Sequence, residues 1–102
     1  MRKYEMVLIL DSSLEEDAVE KELSKISAII EKNGGSILET AKWGVKKLAY
    51  LINHKESGNY IILNFTCDDD SIVELDRVNK INDNVIRHMI VKDKEIKDQE
   101  KS

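Results

Sequence analysis

Residues 4–10 form an apolar run broken only by Glu5. A short run of this kind, containing β-branched residues, predicts a strand covered on both sides. Asp11-Ser12-Ser13 ends it. The period then changes. Val19, Leu23, Ile26 and Ile30 recur at helical spacing, with Leu14, Ala18 and Ile29 beside the stripe. Ser13 and Glu16 stand at the spacing of a capping box, and further acids of the first turn suit the positive end of the helix dipole. Asn33-Gly34-Gly35 supplies a left-handed stop.

Residues 36–52 read as one long strand with a bend or bulge near Gly44. Residues 53–59 hold turn formers, including Ser57-Gly58-Asn59, and 60–66 read as the next strand, so the two pair as a hairpin. Asp68-Asp69-Asp70 opens a second helix, with Ile72, Leu75 and Val78 on its buried side and Ile81 as a last contact. Asn82-Asp83-Asn84 is a break, and 85–92 is the final strand.

The order is β-α-β-β-α-β. Right-handed split crossovers then give an α+β, ferredoxin-like domain. Its four-stranded antiparallel sheet has the order 2-3-1-4, with both helices on one face. Residues 1–92 make this single domain, and the charged segment 93–102, with Ile96 as its one aliphatic residue, is expected to be a mobile tail. The helices should cover Met6, Leu8, Leu10, Ile61, Leu63, Phe65 and Ile90. The reverse face then carries Val7, Ile9, Tyr60, Ile62, Met89 and Val91 with Glu5, Asn64 and Arg87. An open sheet face normally alternates to polar residues, and a contiguous apolar patch marks an interaction site. A protein partner is therefore expected on this face or its edge.

Composition narrows the function. With 102 residues the chain fits one domain, and no apolar run approaches the ~20 residues of a membrane span. The early apolar run is too short for a signal-peptide core. The default is a cytoplasmic protein with no membrane partner. One cysteine, Cys67, excludes an internal disulfide within the chain. The formal net charge of −4 opposes general nucleic-acid binding, but charge is segregated. Acids crowd 13–33, whereas Lys42, Lys46, Lys47 and Lys55 face only Glu39 and Glu56 in 36–60.

No catalytic set is visible. Gly34-Gly35 follows a helix instead of opening one, so it is a cap and not a phosphate cradle. Cys67 is followed by three acids, which would blunt it as a nucleophile. Asp68, Asp69 and Asp70 lack the ligand spacing of a calcium loop and fit a helix cap. His54 falls in a turn. His88 shares a face with Ile86 and Ile90 and reads as a histidine at the core's edge. No metal and no cofactor are expected. The basic set is Arg2, Lys3, Lys42, Lys46, Lys47, Arg87 and Lys92. Strand alternation sends Lys46 and Lys47 to opposite faces. Lysines on an outer strand protect a sheet edge, and they also touch phosphate. Both readings stand at this level.

Three stretches carry a family resemblance: Arg2-Lys3-Tyr4-Glu5, Gly44-Val45-Lys46-Lys47-Leu48-Ala49-Tyr50-Leu51-Ile52, and Asp83-Asn84-Val85-Ile86-Arg87-His88-Met89-Ile90-Val91-Lys92. In this order and separation the chain resembles the family of protein six of the bacterial small ribosomal subunit, over residues 2–92. The resemblance implies a non-enzymatic, cytoplasmic structural protein of the small ribosomal subunit. It further implies a heterodimer with small-subunit protein eighteen that binds the central domain of the small-subunit ribosomal RNA, and a monomer when isolated. RNA contacts are implied for Arg2, Lys46, Lys47, Arg87 and Lys92. A partner interface is expected at Trp43, Tyr60, Ile62 and Met89. Two departures stand out. Lys46-Lys47 replaces the arginines of many members, which loses the planar fork. Leu51 replaces a common proline, which adds a backbone donor to the outer strand. The rival readings are a small self-associating ligand-binding or regulatory domain of the same fold, and a small phosphatase, for which the acidic stretch 11–16 is unsuited.

Overall fold

The computed structural model of the chain describes residues 2–52 and 55–92. Six elements follow in order: β1 (Arg2–Asp11), α1 (Glu16–Lys32), β2 (Ser36–Ile52), β3 (Lys55–Cys67), α2 (Asp69–Ile81) and β4 (Val85–Lys92). The strands form one antiparallel sheet in the order β2-β3-β1-β4. Both helices cover the same face. The expected ferredoxin-like topology is therefore what the chain adopts. His54 and the segment 93–102 lie outside the described residues.

Period-two alternation places the core. Tyr4, Met6, Leu8 and Leu10 of β1 meet Ile61, Leu63, Phe65 and Cys67 of β3, beneath Val19, Ile26 and Ile30 of α1 and Leu75 of α2. Burying each large aliphatic or aromatic side chain contributes about 1.5–3 kcal/mol. The Tyr4 ring stacks near Phe65 at 6.0 Å between centroids. Its hydroxyl donates to Asp69 Oδ1 at 2.8 Å, so the polar tip of a buried ring is satisfied at the start of α2. Ile81 lies beyond the core's reach and is exposed, contrary to the expected last contact.

The helix ends follow two different rules. Asp68 caps α2, accepting from the Ser71 backbone N–H at 2.9 Å. At α1 the expected capping box does not form. Glu15 is the N-cap and accepts no side-chain bond. Ser13 instead donates from its backbone N–H and its hydroxyl to Asp11 Oδ1, at 3.0 and 2.9 Å. The Asp11 carboxylate, also paired with Lys55 at 3.1 Å, captures the hydroxyl that the helix would have used. Gly34 takes the left-handed φ of 88° after the α1 C-cap. The segment 55–59 is strand and not turn. Its residues pair with β2, and Gly58 and Asn59 also with β1, which lengthens the hairpin.

Candidate nucleic-acid interface

The face opposite the helices is built from the other parity of each strand. Val7 lies opposite Ile62 and Met89, and Ile9 opposite Tyr60 and Arg87. Among the described residues no further element covers this face. It is nevertheless less open than alternation suggests. Ile9 and Ile62 are only 6% and 7% exposed, shielded by their sheet neighbours. What reaches solvent is Met89 and Val91, with Val7 and Tyr60 half-buried. Val7, Ile9, Tyr60, Arg87 and Met89 line a shallow apolar hollow of about 180 Å³. Of the expected partner residues, Tyr60, Ile62 and Met89 share this face. Trp43 does not. It sits at the sheet's outer edge, 58% exposed, above a second hollow lined by Leu14 and Val19.

Trp43 owes its position to a bulge. Along β2 the register slips between Lys42 and Gly44, where Gly44 has a φ of 87°. Trp43 is the extra residue and drops out of the ladder. A second slip between Ile37 and Glu39 expels Leu38 in the same way, and both bulged side chains are exposed. The Lys46 ammonium lies 5.3 Å from the Trp43 ring centroid, within cation–π range. Lys42 is turned to the helix side, where it pairs with Glu20 of α1.

The basic residues fall into two groups and not one. Lys46 lies opposite Gly58 and Lys47 opposite Ser57, so they point to opposite faces, as alternation required. Arg87, opposite Ile9, shares the end of the sheet with them. Arg2 and Lys92 occupy the other end, opposite Cys67 and Tyr4. Arg2 approaches Asp69 at 4.0 Å, both side chains being largely exposed. Seven residues of β1 separate Arg2 from Ile9, roughly 23 Å at strand rise. The neighbouring strands that carry Arg2 and Arg87 thus hold them at opposite ends.

Comparison with known proteins fits this architecture. The family model for ribosomal protein S6 matches residues 3–92. The chain is 44% identical over 91 residues to small ribosomal subunit protein bS6 of Clostridium botulinum strain Loch Maree, covering 89% of this chain and 97% of that protein. The same figures hold for the protein of strain 657. The chain belongs to the ribosomal protein S6 family. The crystal structure of 30S ribosomal protein S6 from Thermotoga maritima superposes with a TM-score of 0.88 at 26% identity, covering 98% of this chain and 94% of that one. As an S6-family member the chain is a structural, non-enzymatic component of the cytoplasmic small ribosomal subunit, where it partners ribosomal RNA.

The remaining chemistry of this S6-family chain is consistent with a structural role. Cys67 is buried, and desolvation followed by the neighbouring Asp68 and Asp69 pushes its thiol up to about 11, so it stays protonated. His88 Nε2 lies 2.8 Å from Asp76 Oδ1 on the helix side. It shares a face with Ile90 but not with Ile86, because the register of β4 slips between Ile9 and Leu10. Among the described residues no three acids, cysteines or histidines gather as a metal site. The described helices include none long and apolar enough to cross a membrane.

One group escaped the sequence reading. Glu22, a polar position inside α1, is only 5% exposed. Its oxygens accept from Asn82 Nδ2 at 2.5 Å and Asn84 Nδ2 at 2.8 Å, and Lys25 stands 3.6 Å away. Burial works against its charge. The amides of Asn84 and Asn82, with the Lys25 ammonium, outweigh that and hold the carboxyl below its usual range. The sequence signal was the pair Asn82 and Asn84, amides two residues apart in a turn, but nothing local tied them to Glu22.

Proposed function

We propose that this S6-family chain binds the central domain of the small-subunit ribosomal RNA as a heterodimer with small-subunit protein eighteen. The observation that carries the reading is the reverse face of the sheet. It combines exposed Met89 and half-buried Tyr60 with Lys46 and Arg87 at one end, while Lys47 and, about 23 Å away at the other end of the strands, Arg2 and Lys92 follow the helix-side parity. Arg2 and Lys92 at one end, and Lys46, Lys47 and Arg87 at the other, serve as phosphate contacts. Such contacts set affinity and register and carry no sequence code themselves. Tyr60, Ile62, Met89 and the edge residue Trp43 face the partner protein. Met and aromatic side chains are favoured at such interfaces, and Trp43 is the strongest single anchor among them.

The acidic body explains the need for a partner. Glu15, Glu16, Asp17 and Glu20 are exposed at the N-terminal end of α1, and the chain carries −4 overall. Approach to RNA is opposed at long range, so a small basic protein must supply much of the counter-charge. Alone, the chain is a monomer with weak affinity for RNA.

Titration of a central-domain RNA fragment with the chain, with and without the partner, tests this. Tight, salt-dependent binding is expected from the pair only. Replacing Lys47 and Arg87 together by alanine should flatten the slope of log K against log salt by about two at most. Equal, salt-insensitive affinity with and without the partner would overturn the proposal. So would concentration-dependent self-association in sedimentation, which belongs to a self-pairing domain.

A further inference from the structure

We propose that Glu22 is a positioning residue for the binding face: from α1 it holds the turn that fixes the bulge of β4 and thereby brings Ile86 onto the reverse side of the sheet. The inference rests on the reading that this face meets the partner and RNA.

The chain of interactions is continuous. Glu22 accepts from the side-chain amides of both Asn82 and Asn84. The Asn84 backbone N–H donates to Asn82 Oδ1 at 2.9 Å, and the Val85 N–H donates to the Asn82 carbonyl at 3.0 Å. The Asn84 carbonyl in turn accepts from the Asp11 N–H at 2.9 Å, the last bond of β1 toward β4. The turn is thus tied to α1 by side chains and to β1 by backbone. Where it enters the sheet, Val85 pairs with Leu10 while Arg87 pairs with Ile9. Ile86 is left over.

That leftover residue decides what the face looks like. Without the bulge, Ile86 would lie opposite Leu10 and point among the core residues, and Val85 would swing to the other face. With the bulge, Val85 packs against the core. Ile86 joins Ile9 on the reverse side, its Cδ1 3.6 Å from where a Cβ on Gly58 would stand. Valine and isoleucine suit either place, so burial alone selects weakly between the two registers. A buried carboxylate with two amide donors selects strongly, because the other register would leave a buried charge or a buried amide unpaired. The consequence is an aliphatic neighbour placed directly before Arg87 on the same side, so that the cation is flanked by an apolar surface and not by an empty edge.

The test uses the full chain carrying Glu22→Gln, which keeps the shape and removes the charge. In two-dimensional NMR the cross-peak between the Ile86 and Ile9 methyl groups should vanish. The Asp11 amide should lose exchange protection, while the amides pairing β1 with β3 keep theirs. Affinity of the partner pair for the RNA fragment should fall about fivefold, as for a half-buried aliphatic side chain withdrawn from an interface. Ile86→Ala should cause a similar fall, and the two changes together should not add. Ile30→Ala, a core truncation away from both hollows, serves as the control: it lowers the melting temperature but leaves affinity unchanged. If Glu22→Gln only lowers the melting temperature, with the methyl cross-peak and the Asp11 protection intact, the inference is overturned. If the face rearranges in Glu22→Gln yet neither it nor Ile86→Ala alters binding, the positioning role holds and the assignment of this face to binding falls instead.

Discussion

Gly58 has no room for a side chain, and the reason is a single neighbour. It lies in the central strand β3, paired with Asp11 of β1 on one side and Lys46 of β2 on the other, so its backbone is held from both edges. A Cβ built there stands 2.3 Å from Ile9 Cγ2. Ordinary van der Waals contact begins more than 1 Å further out. Ile9 is 6% exposed and β-branched, so it has few rotamers into which it can retreat. Forcing an extra methyl into such a site costs about 1–3 kcal/mol. Against this, exchanging glycine for alanine restricts the unfolded chain and returns about 0.4–1 kcal/mol. The net expectation for Gly58→Ala is a loss of about 1–2 kcal/mol, or roughly 5–15 °C in melting temperature for a domain of this size. Urea unfolding with and without Ile9→Ala measures it. In the Ile9→Ala background the offending methyl is gone, and Gly58→Ala should become neutral or slightly stabilising. A cost that is the same in both backgrounds would show that the clash is not its source. Gly44 provides the contrast. Its φ is 87° and nothing lies within 4 Å of its Cβ position. Gly44→Ala should therefore cost about 1–2 kcal/mol through the left-handed backbone alone, whatever stands at position 9.

Three further outcomes follow from other sites. Folded-state acidity of Glu22 is enhanced, so its contribution is present above the unfolded value near 4.5 and is lost as pH falls through the lower folded value. Unfolding midpoints measured from pH 7 to 3 should drop at the acid end, and Glu22→Gln should flatten that drop. Cys67, with its thiol at about 11, should resist alkylation at pH 8 until urea unfolds the chain. Asp68→Ala removes the acceptor for the Ser71 N–H and should destabilise by about 1 kcal/mol in calorimetry, whereas Ser13→Ala should leave α1 intact, since Ser13 bonds Asp11 and not the helix.

Much of this molecule could be read from its residues, wherever one strong signal stood alone. Alternation through Met6, Leu8, Ile61, Leu63 and Phe65 settled which face is covered. Gly44 marked the bend, Asp68 the helix start and Gly34 the helix stop. The failures have a common form, in which two local signals of similar strength competed. Ser13 had the spacing of a capping box, but the Asp11 carboxylate lay nearer. Ile81 continued an apolar stripe past the point where a β-strand still lay beneath it. Val85 and Ile86 were equally apolar, so alternation counted backward from Ile90 gave His88 and Ile86 one face, and the slip beside Leu10 undid it. Glu22 was unreadable for a different reason. Its partners stand 60 and 62 residues away, and only the closed fold brings them near. The candidate binding residues were individually visible, but their division between two ends of the sheet depends on strand register.

The bulges of β2 at Leu38 and Trp43 have a consequence for the time before assembly. An outermost strand of 17 residues, flanked on one side only, is a template on which a second molecule could grow. Here every few positions the spacing of its donors and acceptors is broken, once at Leu38 and again at Trp43, and no regular intruder can match such an interrupted rhythm for long. The greasy side chains ejected at those breaks stay available for a surface shaped to receive them. A freshly made copy can thus wait in a crowded cell without templating its siblings.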